Sequence, residues 1–172
     1  MVLVMATLLA GCGVHNRPST ALDDPCPIVT DQILRRLAPG AARTPSDSMG
    51  AISGTKSCEV DLESGSSSMR GDLLVAVSVD GTNTFDARWR RNRCRDIRAR
   101  GSSQGAGDWA CMVVKPWAGS EARVEGWAWL GDDYEVHVAY QLVAPRRLPA
   151  SAAEDLRQML RTAVAGLPPQ RP

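Results

Sequence analysis

The chain has 172 residues, 44% hydrophobic and 23% charged, with a formal charge of +1 at pH 7. Lys+Arg 20 against Asp+Glu 19 gives no electrostatic argument for a nucleic-acid partner or for a trap for acidic substrates. The length suits one domain, which would bury about 70% of its unfolded surface.

Met1 to Gly11 (MVLVMATLLAG) carries no charge and no proline. A helix needs about 20 apolar residues to cross a bilayer, so residues 1–11 read as the apolar part of a signal peptide. Such signals open with a basic region; none precedes the run, so the expectation is a true start further upstream. Leu9-Ala10-Gly11-Cys12 resembles a lipobox, which makes Cys12 the expected lipidation site. Its thiol would receive a diacylglycerol, and cleavage would leave it as the first residue of an exported protein held on the outer face of the cell membrane. Residues 12–24 then form the lipidated cysteine and a polar tether, with His15 in solvent. Extended at ~3.5 Å per residue, the tether from Gly13 to Asp24 reaches about 40 Å.

A single domain is expected over 25–168, with a tail at 169–172. It opens on Asp24-Pro25-Cys26-Pro27, whose prolines keep the chain extended. Thr30 caps a helix through Ile33, Leu34 and Leu37, which Pro39-Gly40 ends. Residues 41–56 read as a loop. Cys58, Val60 and Leu62 alternate with Glu59, Asp61 and Glu63, the pattern of a half-buried strand. Leu73 to Val79 is apolar on both faces and reads as a central strand. Thr84 to Arg100 has Phe85, Trp89 and Ile97 at helical intervals. Strands follow at Trp109 to Val114, Arg123 to Leu130 and Tyr134 to Val143, the last two joined across Gly131-Asp132-Asp133. Ser151-Ala152-Ala153-Glu154 has the capping-box pattern, with Leu156, Met159, Leu160 and Val164 as the buried stripe and Gly166 with Pro168 as the stop. The predicted order is αββαβββα, an α+β fold with an antiparallel sheet packed against helices.

Cys26, Cys58, Cys94 and Cys111 are even in number, which in an exported chain points to two disulfides and leaves Cys12 apart. They lack clustered Cys and His neighbours, so no metal and no cofactor is expected. Connectivity is open from sequence. The favoured pairing is Cys26 with Cys58, pinning the first helix to the first strand, and Cys94 with Cys111, closing the Gly-rich loop.

Three patterns carry chemical readings. Gly101-Ser102-Ser103-Gln104-Gly105 matches G-x-S-x-G, and Asp132 or Asp133 and His137 follow in hydrolase order. The nucleophile elbow needs a strand before the serine and a helix after it, the reverse of the predicted elements. Arg88, Arg90, Arg91, Arg93, Arg95, Arg98 and Arg100 crowd thirteen residues. They read either as a solvated helix face, partly neutralised by Asp86, Asp96 and the acidic strand Glu59 to Glu63, or as contacts to an anionic surface. Trp127 and Trp129 share a strand face with Arg123 and Glu125. They either line a ligand or partner surface or lie beneath a helix.

The segment DDPCPIVTDQILRRL, with KSCEV about 30 residues later, resembles a large family of actinobacterial lipoproteins of unassigned function. The matching positions are Asp24, Pro25, Cys26, Ile28, Val29, Thr30 and Cys58, after the lipobox and tether. Many members carry Trp two residues after the second cysteine, where this chain has Val60. The resemblance spans residues 12–168 and implies an envelope location and a compact α+β domain akin to the Mog1/PsbP-like sandwich, with no established reaction. The expected function is a lipid-anchored, non-enzymatic binding or structural role in the cell envelope, with an envelope protein or cell-wall polymer as partner and no nucleic acid. The alternative is a carrier of a small hydrophobic or lipid ligand, and a hydrolase comes third.

Overall fold

The computed structural model describes residues 21–39, 42–46, 54–64, 69–79, 84–99, 106–118, 121–143 and 147–168. Residues 1–11 expected as a signal peptide, Cys12, His15, most of the expected tether, Arg100, the Gly101 to Gly105 motif and residues 169–172 lie outside them. At Asp24-Pro25-Cys26-Pro27 the chain is not extended as expected: Pro25 is in helical conformation (φ −78°, ψ −9°) and opens a 3-10 turn at Cys26–Ile28. Then come α1 (Asp31–Leu37), β1 (Ala42–Ser46), β2 (Thr55–Ser64), β3 (Met69–Val79), α2 (Ala87–Asp96), β4 (Trp109–Ala118), β5 (Glu121–Leu130), β6 (Tyr134–Val143) and α3 (Ala152–Ala165). The strands form one antiparallel sheet in the order β1-β2-β3-β6-β5-β4. The class is α+β, and the order αββαβββα gains one strand.

The added strand, β1, occupies part of the expected 41–56 loop. Its sequence, ARTPS, contains a proline and lacks an alternating pattern, which hides it from periodicity. Among the described residues it is an edge strand paired only to β2, where a missing amide proton is tolerated.

One face of the sheet buries the main core. Val60, Leu73, Val75, Val77, Val124, Val136 and Val138 point from the strands into Leu156, Met159 and Leu160 of α3 and Ile33 and Leu37 of α1. Thr30 caps α1, its hydroxyl oxygen accepting from the Ile33 amide at 3.3 Å. The fully buried Tyr140 hydroxyl donates to the Leu37 carbonyl at 2.6 Å, and burial pushes its pKa up. Arg36 of α1 donates to the buried Asp155 of α3 at 2.9 Å. Disulfides join Cys26 to Cys58 and Cys94 to Cys111. The first ties the N-terminal turn to β2, and the second ties α2 to β4.

The start of α3 departs from the expected capping box. Ser151 is already in helical conformation and makes no side-chain cap bond, whereas a capping serine needs extended backbone. Glu154 turns outward, accepting from Arg157 at 3.0 Å and Arg161 at 2.7 Å. Those guanidinium bonds hold its carboxyl below the usual range.

Candidate functional site

Among the described residues, the opposite face of the sheet is covered in part, by α2. Asp86 begins this helix in extended backbone (φ −62°, ψ 174°) and its carboxylate accepts from the Trp89 amide at 2.7 Å. At the other end the Arg98 amide donates to the Arg95 carbonyl at 2.8 Å and the Ala99 amide to the Cys94 carbonyl at 2.9 Å. This closure places Arg98 in the left-handed region at φ 59°. Phe85, Cys94 and Ile97 press against Cys111, Trp127 and Trp129 as a second, smaller core.

Within that core lies a buried carboxylate. Glu135 is 7% exposed and its Oε2 accepts from the indole N–H groups of Trp89 at 2.7 Å and Trp129 at 2.9 Å. Arg93 approaches its other oxygen at 3.9 Å and lies over the rings of Trp89 and Trp127, 4.9 and 5.7 Å from their centroids. Two indole donors and a nearby guanidinium give an otherwise costly buried charge its partners. Arg90 also turns inward, donating to the carbonyls of Phe85 at 2.8 Å and Gly131 at 2.7 Å and pairing with Asp132.

Beyond α2 the same sheet face continues through His137 and Glu125. The His137 ring stacks on Trp127, centroids 4.2 Å apart and planes 8° from parallel, with Nε2 3.2 Å from the Glu125 carboxylate. Burial opposes ionisation of Glu125. The His137 hydrogen bond, with the charges of Arg123, His137 and Lys115, outweighs it and holds the carboxyl below the usual range. Further along, burial and Glu59, opposed by Arg123 and aided by Asp61 and Glu121, raise the Asp72 carboxyl.

The predicted site residues therefore separate. Trp127 is 5% exposed and Trp129 fully buried, so they form the seat of α2 and not an open ligand or partner surface. Arg90 and Arg93 are anchors of the helix. Arg88, Arg91, Arg95 and Arg98 are exposed. The acidic strand invoked as their neutraliser, β2, is separated from β6 by β3. The arginine run and the tryptophans, read separately from sequence, meet in one unit. Glu125 was read from the alternation of β5 as sharing the tryptophans' face, whereas Glu135 was missed, although the β5–β6 hairpin register places Glu135 opposite Trp129 and His137 opposite Trp127. The G-x-S-x-G segment falls between α2 and β4, and His137 is engaged by Trp127 and Glu125.

Two disulfides indicate an oxidising, extracellular-type environment. No helix of the described residues is long and apolar enough to cross a membrane. Comparison with protein-family models, curated proteins and solved structures returned no match.

Proposed function

We propose that this is a lipid-anchored protein of the cell envelope with a non-enzymatic binding or structural role. The observation that carries the reading is the use of the cysteines. Four of the five close two disulfides inside the domain, so the fifth, Cys12 behind Leu9-Ala10-Gly11, has no partner left among them and needs a separate use. Thioether attachment of a diacylglycerol is that use. The non-enzymatic part is supported by the way the reactive-looking side chains are employed: Trp89, Trp129 and Glu135 satisfy one another, and His137 is packed on Trp127. The same filling of space beneath α2 weighs against the hydrophobic carrier.

Intact mass spectrometry of the membrane-extracted protein tests the anchor. A diacylglyceryl mass on Cys12 is the expected result, and Cys12→Ser should move the protein to the soluble fraction, or arrest its processing, with both disulfides and the folded domain retained. An unmodified Cys12, or a variant that unfolds or forms mixed disulfides, would refute the reading.

A further inference from the structure

Of the arginines on and just after α2, Arg90 and Arg93 turn inward. Arg88, Arg91, Arg95 and Arg98 stay in solvent with no ion pair or side-chain hydrogen bond among the described residues. At about 100° and 1.5 Å per residue, Arg88, Arg91 and Arg95 fall within an arc of about 60° along roughly 10 Å of helix, and Arg98, two residues past the last helical residue, is exposed like them. The acids closest in sequence compete little: Asp86 is engaged at the N-cap and Asp132 by Arg90, and Asp96 lies about 100° around the helix from Arg95.

Arg98 adds an independent signal. It occupies the left-handed position that closes a helix, where glycine or asparagine is the usual resident because a side chain crowds there. An arginine occupies that strained position, and it is the next exposed arginine in the chain after Arg95. An outlier of this kind is a reason to look for a function there.

We propose that the outer face of α2 is a docking strip for a linear polyol-phosphate polymer of the cell envelope, gripped by Arg88, Arg91, Arg95 and Arg98. The proposal deepens the binding reading above and rests on it. Guanidinium forks match phosphate oxygens bidentately. A lipid bilayer fits less well, because the apolar side of α2 (Trp89, Cys94, Ile97) is turned to the sheet and its outer face has nothing to insert below the headgroups. A protein partner fits less well for the same reason, since interface centres are apolar and aromatic. The chain also enters the described domain on the far layer, where the Ala21 amide donates to the Gly166 carbonyl at the end of α3. The strip therefore lies across the sheet from the point of entry.

The test is titration of the full chain, in non-ionic detergent, with synthetic poly(glycerol phosphate) between 50 and 200 mM NaCl. Four contacts at about 0.7 each give a slope of log K against log salt near −3, or about fiftyfold weaker binding across that range. Arg88→Gln with Arg91→Gln and Arg95→Gln should cut affinity at 50 mM at least tenfold and bring the slope near −1. Arg98→Gly should weaken binding while raising the thermal midpoint, an outcome that a merely structural role would not produce. Arg35→Gln with Arg157→Gln and Arg161→Gln removes the same charge from the opposite layer and should leave affinity unchanged. Absent or salt-independent binding, equal loss in the opposite-layer control, or strip-dependent binding to anionic lipid vesicles tighter than to the polymer would overturn the proposal. Acylation of Cys12 is read separately by mass, so failure of the strip and failure of the anchor are distinguishable.

Discussion

At the residue scale, Glu135 decides how α2 sits. Trp129 is fully buried and its indole N–H has Glu135 as acceptor. Glu135→Leu would leave that donor unpaired and deprive Trp89 of the same oxygen, a cost of roughly 3 kcal/mol from two lost indole partners. Glu135→Gln is milder, at about 1 kcal/mol, because the amide oxygen can still accept both N–H groups and only the attraction to Arg93 is lost. Urea unfolding midpoints should rank native above Gln above Leu, and the Trp89 and Trp129 indole proton shifts should move in the Leu variant and hardly in the Gln variant. Equal midpoints would show that the carboxylate is incidental to packing. Little of this was legible in the sequence. A glutamate at the start of a strand looks like a solvent-facing residue, and only the hairpin register that sets it opposite Trp129 reveals the contact.

At the element scale, α2 is a short helix with a mostly charged sequence, and packing of Phe85, Cys94 and Ile97 is reinforced by the Cys94–Cys111 bond. Removing that bond with Cys94→Ala and Cys111→Ala frees a closed loop of sequence separation 17, a loss of about 3 kcal/mol through the greater freedom of the unfolded chain. Hydrogen exchange should show the amides of Arg90 to Ile97 losing protection ahead of those of β3 and β6. Uniform loss across the protein would mean that α2 is not separately hinged on the disulfide. The helices and five strands were readable because their apolar spacing survives in sequence: Leu156, Met159 and Leu160 on α3, and the even alternation of β6. The capping box on α3 misled because a pattern of residue types does not specify whether Ser151 enters extended. β1 was invisible because backbone pairing alone can hold an edge strand, and ARTPS carries no alternating apolar pattern to signal it. The arginine run was visible as charge, but its division into anchors and an exposed strip depends on the helix phase set by Cys94.

At the scale of the whole molecule, the sheet is two three-stranded meanders, β1-β2-β3 and β4-β5-β6, joined through the antiparallel β3–β6 pair from Gly71 opposite Leu142 to Val79 opposite Tyr134. Each disulfide lies within one half, so among the described residues no disulfide spans the join. The halves are held by that ladder, by Tyr140 reaching Leu37, by Arg36 on Asp155 and by the shared core under α3. A continuous core of this kind couples the halves into one cooperative unit. Denaturant unfolding followed by tryptophan fluorescence, which reports the second half, and by backbone circular dichroism, which reports both, should therefore coincide, with the amides of Leu73 to Val77 and Val136 to Tyr140 exchanging most slowly. The join has one place where a small change acts directly: a Cβ at Gly71 would fall against the Gln141 carbonyl oxygen and 2.8 Å from a methyl of Leu142. Gly71→Val should push the two strands apart and lower both transitions together by roughly 2–3 kcal/mol, the range of overpacked cores. If instead the fluorescence transition keeps its native midpoint while the circular dichroism splits, the second meander with α3 folds on its own and the β3–β6 pairing is a docking contact between two independent units.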